Sequence, residues 1–299
     1  MSREYKGKLA IVTGSSRGMK LPWMRVFSLT RIPGIGAAIV QNLASKGCNV
    51  VINYTSEASD LVARQLASEL ERMYEVVAFP FRADIASRED CERLVSAMES
   101  RFSNAEFHQF QIDILVHNAA IAYLGPVETV KESEFRRIYD VNVLGPVLLT
   151  GICKPFLPMD RSGRIVMLSS INSKVGTENT TLYSGTKGAL EAMTRVWARE
   201  LAEQATVNAI NPGAVSTGQY LVAPDEIKEI LSRWNPLTPL ASVRDDLDTP
   251  EIQEMGKRFG GRAAYPEEIA KLVAAICHPD CGWCTGSIIS ANGGLSFSI

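Results

Sequence analysis

The chain has 299 residues, of which 46% are hydrophobic and 21% are charged. This composition lies near the globular average and excludes a disordered or fibrous protein, while the length allows one or two domains. The formal charge of −2, from 31 basic and 33 acidic residues, argues against a dedicated nucleic-acid binder. The N-terminus has no apolar signal region, and the longest apolar run, near Val141–Cys153, is too short to cross a bilayer. We therefore expect a soluble cytoplasmic protein.

Short apolar runs alternate along the chain with longer segments of helical periodicity. The predicted strands are Leu9–Thr13, Asn49–Asn53, Val76–Phe81, Ile112–His117, Arg164–Ser169, Thr206–Ile210 and Ser287–Ser290. The predicted helices are Ile35–Lys46, Ser59–Met73, Arg88–Phe102, Glu132–Cys153, Ser184–Glu203 and Pro266–His278. This alternation, with continuously apolar strands, predicts a doubly wound parallel sheet in a three-layer α/β/α fold. Ligands of such sheets bind at the carboxyl ends of the strands.

A glycine-rich turn follows the first predicted strand, where Thr13–Gly18 reads TGSSRG. Such a turn lets backbone amides approach a pyrophosphate, and the N-terminus of the next helix adds partial positive charge. The turn resembles the TGxxxGxG loop of the short-chain dehydrogenase/reductase family, which typically reads TGSSRGIG. The match stops at Gly18 and resumes at Gly34–Gly36, and joining Gly18 to Ile35 restores TGSSRGIGAAIVQNLASKG.

The material in excess of the family pattern is the 16-residue segment Met19–Gly34. It is rich in apolar side chains and carries three basic residues and no acidic one, at a point where the chain should turn tightly. One interpretation is a genuine lid over the cofactor. We favour an unspliced intron, because Gly18-Met19 can encode a GT donor, Pro33-Gly34 can encode an AG acceptor, and excision stays in frame. A second, smaller excess at Ser103–Gln111 is typical of a tolerated surface loop.

The end of the second predicted strand bears on the choice of cofactor. Residues 52–56 read INYTS, without the carboxylate that NAD-preferring folds place there for the ribose 2′-OH. Arg17 can pair with a 2′-phosphate, and Thr55 or Ser56 can hydrogen-bond it. We therefore predict NADP(H). Within the loop itself, the resemblance implies cofactor contacts from Gly14, Ser16, Arg17, Gly18, Ile35 and Gly36.

Further matches to the family follow later strands. Asp84-Ile85 follows the third strand, where the family contacts the adenine. Residues 117–120 read HNAA where the family has NNAG, so Ala120 replaces a glycine. Pro212–Thr217 reads PGAVST and resembles the motif on the nicotinamide side. The resemblance implies cofactor contacts from Asp84, Ile85, Asn118, Ala119, Tyr183, Lys187, Pro212, Gly213, Val215 and Thr217.

The sequence YSGTK at Tyr183–Lys187 places a tyrosine and a lysine on one face of a helix. An ammonium near a phenol lowers the pKa of the phenol, which can then pass a proton near neutral pH. Ser170, after the fifth strand, can donate a hydrogen bond to a substrate carbonyl. The resemblance adds Asn142, which would hold a water of the proton relay. Each of these residues alone is more typical of packing, a solvated charge, a strand-end cap or a satisfied amide; their joint order predicts catalysis.

The resemblance implies a single Rossmann-type domain over residues 1–299, with the insert at 19–34 and a substrate-loop region at 218–261. That region mixes apolar side chains with an acidic patch at Asp245–Asp248. The implied activity is NADP-dependent reduction of a ketone, with most similarity to 3-oxoacyl-carrier-protein reductases and polyketide ketoreductases. The implied partners are a small carbonyl or alcohol substrate and further copies of the chain, as a dimer or tetramer, without nucleic acid or membrane.

Two other possibilities remain open at the level of sequence. The insert could disrupt the phosphate loop, which would make the chain a catalytically impaired dinucleotide-binding protein. Cys277, Cys281 and Cys284 cluster near the C-terminus and could bind zinc or form a redox couple. Zinc needs four ligands, and the fourth would have to be His278, which sits awkwardly close to Cys277 in the sequence, so we expect no metal site.

Overall fold

The computed structural model describes residues 3–16, 34–103, 110–217, 220 and 225–297. Its strands are β1 (Leu9–Val12), β2 (Asn49–Tyr54), β3 (Ala78–Arg82), β4 (Ile114–His117), β5 (Gly163–Leu168), β6 (Ala205–Pro212) and β7 (Ile288–Ala291). Within the described residues they form one seven-stranded sheet of order β3-β2-β1-β4-β5-β6-β7. Every pairing is parallel, which confirms the predicted doubly wound Rossmann-type sheet.

The long helices agree with the predicted ones to within a few residues at their ends, with one exception, while the short helix at 172–175 was not predicted. They are α1 (Ile35–Ser45), α2 (Asp60–Tyr74), α3 (Arg88–Phe102), α4 (Glu132–Tyr139), α5 (Gly145–Cys153), α6 (Asn172–Val175), α7 (Thr181–Glu200), α8 (Asp225–Ser232), α9 (Pro250–Phe259) and α10 (Pro266–Cys277). The largest difference is the single helix predicted over Glu132–Cys153. The structure divides it into α4 and α5, joined by a π-helical turn at Asp140–Leu144.

The apolar alternation of the strands divides the core between the two faces of the sheet, because successive side chains of a strand point to opposite faces. Ala10 and Val12 of β1 pack in a cluster with α1, α2 and α10. Leu9 and Ile11 pack on the other face with residues of α3, α5 and α7. All four side chains are buried, so β1 lies at the centre of the molecule.

Because all strands run in parallel, their carboxyl ends lie along one edge of the sheet. β1 pairs with β2 on one side and with β4 on the other, which makes this edge the point where the strand order reverses. A crevice forms at such a point and is the usual ligand site of doubly wound sheets. The segments that follow β1, β4, β5 and β6 therefore surround the candidate site.

Some predicted features lie outside the described residues. These are Arg17, Gly18, all of the insert except Gly34, and Leu221 of the substrate-loop region. Residues 104–109 of the second excess segment also lie outside them.

Candidate active site

A cavity of about 770 Å³ opens over the carboxyl ends of β1, β4, β5 and β6. Most of the predicted site residues that the structure describes line it. They are Gly14, Ser16, Ile35, Gly36, Thr55, Asn118, Ala119, Ser170, Tyr183, Lys187, Pro212, Gly213, Val215 and Thr217. The glycine turn and the YxxxK pair thus share one cavity, as the sheet topology requires.

The two halves of the interrupted glycine motif meet in space. Gly14 has φ +62°, which favours glycine, and a Cβ added to it would lie 2.9 Å from the Cα of Ala119. A Cβ on Gly36 would lie 2.7 Å from the carbonyl oxygen of Gly14 and 2.5 Å from Nδ2 of Asn118. Only glycine fits these contacts. They bring the N-terminus of α1 against the β1 turn, which is the arrangement that binds a pyrophosphate.

Polar side chains brace this turn, and those of Thr13 and Asn53 are buried. Asn118 Nδ2 donates hydrogen bonds to the carbonyl oxygens of Thr13, at 2.8 Å, and Gly14, at 3.1 Å. The Thr13 hydroxyl accepts from the backbone N–H groups of Asn118 and Ala119, both at 3.0 Å. Asn53 Oδ1 accepts from the Gly14 N–H at 3.2 Å. The bracing roles of Thr13 and Asn53 were not predicted from the sequence, although a polar residue that closes an otherwise apolar strand is a usable signal.

Ser170, Tyr183 and Lys187 come together where β5 ends and α7 begins. Lys187 is 3% exposed, and its Nζ donates to the carbonyl oxygen of Leu168 at 2.6 Å. The same Nζ lies 5.4 Å from the centroid of the Tyr183 ring. An ammonium carries three N–H donors, so two of the Lys187 donors have no partner among the described residues. They are available to a ligand in the cavity.

Burial shifts the pKa values of Tyr183 and Lys187. Burial raises the pKa of Tyr183 above its ordinary value, and hydrogen bonding to the Ser170 side chain opposes this rise. Lys187 is not among the causes of this shift, so the lowering of the Tyr183 pKa by its ammonium stays a prediction. Burial lowers the pKa of Lys187 itself to about 8, because a charged amine is poorly solvated there.

Asn142 lies behind the cavity lining, in the π-helical turn, and is 1% exposed. Its Nδ2 donates to the Ile121 carbonyl oxygen at 2.9 Å and to the Thr186 hydroxyl at 3.1 Å, while its Oδ1 accepts from the Ile121 N–H at 2.9 Å. Both amide protons are thus used within the protein. A water of the proton relay at this residue would therefore have to be held by the backbone carbonyl oxygen of Asn142.

Three predicted cofactor contacts are absent from the lining that the described residues form. Ile85 is 1% exposed and packs into the core, so closely against Gly145 that a Cβ added to this glycine would lie 2.9 Å from the Ile85 Cδ1. Asp84 starts the turn into α3, and its Oδ1 accepts from the Ala86 N–H at 3.0 Å. The Ser56 hydroxyl lies 2.9 Å from that of Ser59. The structure thus places these side chains in core packing and turns.

The far wall of the cavity contains polar residues that the sequence analysis did not select. Asn172, Thr177, Glu178 and Asn179 line it between β5 and α7. The Thr177 hydroxyl donates to Asn172 Oδ1 at 2.9 Å. Tyr220, Trp234 and Leu240 of the substrate-loop region form an apolar side opposite, as predicted for that region.

The predicted acidic patch at Asp245–Asp248 is not a continuous solvated surface. The Asp248 side chain is fully buried and pairs with Arg244, at 2.7 Å between Nη2 and Oδ1. The hydrogen bond from Arg244 lowers the Asp248 pKa to about 2. Arg262 lies 3.8 Å from the same carboxylate and pairs with Glu268 of α10 at 2.9 Å. Asp248 therefore ties the substrate-loop region to the body of the protein.

Sequence comparison identifies the family. A sequence model of the family described as Enoyl-(Acyl carrier protein) reductase matches residues 31–296. The chain belongs to the short-chain dehydrogenase/reductase family. Two relatives of this short-chain dehydrogenase/reductase are 38% identical to it, and each match covers 100% of both chains: L-xylulose reductase of Aspergillus niger and L-xylo-3-hexulose reductase of Hypocrea jecorina. The family match begins at residue 31, beyond β1 and most of Met19–Gly34.

Solved structures of similar short-chain dehydrogenase/reductases agree with this assignment. The angucycline C-6 ketoreductase LanV with bound NADP has a TM-score of 0.78 and 28% identity, over 99% of this chain and 98% of LanV. A blue fluorescent protein from a metagenomic library, in complex with NADPH, has a TM-score of 0.77 and 28% identity, over 98% and 99% of the two chains. The chain is therefore an oxidoreductase with relatives that bind NADP(H).

The remaining features of this short-chain dehydrogenase/reductase do not form a second centre in the described residues. Burial raises the pKa of the Cys277 thiol to about 12, so little thiolate exists at neutral pH. No group of three or more metal-ligating side chains is found in the described part of the chain. Among the described helices, none has the length and apolar character needed to traverse a bilayer.

Proposed function

We propose that this chain is an NADPH-dependent reductase of a small polyhydroxylated ketone. The observation that carries the proposal is the shared cavity, which has the Gly14–Gly36 cradle at one end and Ser170, Tyr183 and Lys187 at the other. A dinucleotide needs both ends, one for its phosphates and one for its reacting ring. The presence of Ser170, Tyr183 and Lys187 in this cavity argues against the alternative of a catalytically impaired dinucleotide-binding protein.

The residues present fit a dinucleotide. The absence of Cβ atoms at Gly14 and Gly36 leaves room for close approach of phosphates, and Lys187 keeps N–H donors for a ribose. Bound there, the reduced nicotinamide supplies a hydride to the substrate carbonyl carbon. The residues that would hold the cofactor are Gly14, Ser16, Ile35, Gly36, Thr55, Asn118, Ala119, Tyr183, Lys187, Pro212, Gly213, Val215 and Thr217, together with Arg17 and Gly18.

The chain's own residues handle the proton. The Ser170 hydroxyl donates a hydrogen bond to the carbonyl oxygen and stabilises the negative charge that develops there. The Tyr183 hydroxyl transfers its proton to that oxygen, as a general acid. A raised pKa keeps Tyr183 protonated until the oxygen becomes more basic than the phenol. A water at the Asn142 carbonyl then relays a replacement proton.

The substrate class follows from the far wall and from the relatives. Asn172, Thr177, Glu178 and Asn179 supply donors and acceptors beside Ser170, which suits a substrate with several hydroxyl groups. The two relatives at 38% identity are named for the reduction of L-xylulose and L-xylo-3-hexulose, both polyhydroxylated ketones. Among the substrates that the sequence allows, this class is favoured over 3-oxoacyl and polyketide substrates.

The direct test is reduction of L-xylulose by the purified chain. We expect kcat/KM with L-xylulose to exceed that with 2-pentanone by about 10²-fold, because each hydroxyl bound contributes ~1 kcal/mol. With L-xylulose, NADPH should be preferred over NADH by about 10-fold or more, since a charge-assisted hydrogen bond to phosphate contributes at least ~1.5 kcal/mol. Thr55→Asp should reverse the cofactor preference by repelling the 2′-phosphate. Equal rates with NADH, or with 2-pentanone, would contradict the corresponding half of the proposal.

Cofactor affinity should depend on the protonation of Lys187. Its ammonium, with a pKa near 8, provides charged donors below that pH and a neutral amine above it. We expect the Kd for NADPH, measured by fluorescence titration, to rise about fivefold as pH increases from 7 to 9, because a charged hydrogen bond is ~1 kcal/mol stronger than a neutral one. The Lys187→Met variant should bind more weakly and show no such rise. The same pH dependence in that variant would assign it to another group.

We further propose a cytoplasmic homo-oligomer, dimer or tetramer, whose protomer is a single domain over residues 1–299. The single sheet supports the single domain. Exposed apolar side chains on and between α4 and α5 support association, since Phe135, Leu144 and Val147 are each more than two-fifths exposed.

A further inference from the structure

We propose that Glu191, which lies outside the cavity lining, is a positioning residue that fixes Ser170 and Lys187 relative to each other; the proposal rests on the function proposed above. Glu191 is on α7, one helical turn after Lys187, and is 8% exposed. A carboxylate in such a place must be compensated by hydrogen bonds. Its partners come from the segments that carry the candidate catalytic group.

One carboxylate oxygen of Glu191 joins three segments. Oε1 lies 2.8 Å from the hydroxyl of Ser169, which follows β5, and 2.5 Å from the hydroxyl of Ser173 in α6. It also accepts from Nδ2 of Asn211 in β6 at 2.9 Å. The second amide proton of Asn211 reaches the Ser173 hydroxyl at 3.2 Å, which closes the network. Oε1 of Glu191 therefore joins α7 to the residue after β5, to α6 and to β6.

The network surrounds Ser170 in sequence and in space. Ser170 lies between Ser169 and Ser173, and its carbonyl oxygen accepts from the Ser173 N–H at 3.0 Å. The Ser169 hydroxyl also lies 3.3 Å from the Lys187 carbonyl oxygen. The segment Ser169–Ser173 is thus held to α7, the helix that carries Tyr183 and Lys187. Glu191 does not line the cavity that would hold substrate and cofactor, so we expect it to act through the placement of Ser170.

The matched variants are Glu191→Leu, which keeps the volume and removes the acceptor, and Glu191→Gln, which keeps an acceptor oxygen. We expect Glu191→Leu to lower kcat about 10- to 100-fold, the loss typical of a displaced catalytic group. KM and the Kd for NADPH should stay within about threefold of wild type, the range of an ordinary small perturbation. Glu191→Gln should recover most of the lost kcat.

A control separates positioning from general destabilisation. Thr194→Val removes another buried hydroxyl from α7, one that donates, among the residues that the structure describes, to the Leu190 carbonyl oxygen alone. It should leave kcat within about twofold of wild type, whatever it does to Tm. Ser173→Ala, which removes one donor and keeps Glu191, should lower kcat about 3- to 10-fold and provides the test where Glu191→Leu does not fold.

A readout independent of turnover keeps this proposal distinct from the function on which it rests. In crystal structures, Glu191→Leu should move the Ser170 hydroxyl away from Tyr183, and Glu191→Gln should leave it in place. An unmoved Ser170 would overturn the proposal even if kcat fell, and so would a kcat loss in Glu191→Gln equal to that in Glu191→Leu. Failure of the wild-type chain to reduce any ketone would instead count against the proposed function, while the Ser170 displacement still decides the role of Glu191.

Discussion

Tyr183→Phe is expected to lower kcat for ketone reduction by about 10²- to 10⁴-fold, the contribution typical of a positioned general acid. The change removes one hydroxyl and keeps the ring, whose centroid lies 5.4 Å from Lys187 Nζ. Packing around the start of α7 should therefore survive. The measurement is steady-state reduction of L-xylulose with NADPH, together with fluorescence titration of NADPH. The Kd should stay within about threefold of wild type, because no direct proton transfer is needed for binding.

Tyr220→Phe is the matched control for this loss. Tyr220 also lines the cavity, and burial likewise raises the pKa of its phenol. It belongs to the substrate-loop region, and the proposed proton transfer does not use its hydroxyl. We expect kcat to change by about twofold or less. If Tyr183→Phe retained a similar fraction of activity, another group would have to supply the proton.

The fold was predictable because a parallel sheet buries both faces of its strands. That burial makes segments such as Val50–Ile52 and Ile114–Val116 continuously apolar and easy to recognise. The π-helical turn at Asp140–Leu144 was missed, because apolar periodicity does not resolve one inserted residue. Pro146 was the available signal, since a proline inside a helix cannot donate to the carbonyl four residues earlier.

The site was predictable to the extent that motif residues sit at strand ends. Gly14 and Ser170 reach the cavity for that reason, whereas Lys187 reaches it from the second turn of α7. The resemblance also implied a cofactor contact from Ile85, for which no geometric requirement was known, and the Ile85 side chain packs in the core instead. The sign of the Tyr183 pKa shift could not be read from the YxxxK spacing, because spacing says nothing about desolvation, and here burial outweighs the opposing effect.

Deleting Met19–Gly34 is expected to strengthen NADPH binding by about 10- to 100-fold, as one or more charge-assisted hydrogen bonds to phosphate are restored. The deletion leaves five residues between Gly14 and Gly36, the number that the TGxxxGxG pattern contains, in place of 21. These two glycines already lie close together, since a Cβ added to Gly36 would come within 2.7 Å of the Gly14 carbonyl oxygen, so the shortened turn has a geometry ready for it. The sequence comparison supports an interruption here, because the family match starts only at residue 31.

Stability should change far less than affinity. Loop-closure entropy grows slowly with length, so shortening this connection from 21 to five residues should add only about 1 kcal/mol to the free energy of unfolding. The corresponding rise in Tm is about 2–4 °C for a chain of this size. A weak effect on folding beside a strong effect on NADPH affinity is the combination expected when extra residues interrupt a phosphate loop without contributing to the core.

Replacing Met19–Gly34 by 16 glycine and serine residues is the matched control, because it keeps the length and removes the apolar side chains. If the segment only interrupts the turn, this variant should bind NADPH as weakly as the unaltered chain. If the segment is a lid, both the deletion and the replacement should bind more weakly than the unaltered chain, which would contradict our interpretation. Sequencing of transcripts gives an independent answer: reads that join the codons of Gly18 and Ile35 support an unspliced intron, and transcripts that all retain the segment exclude it.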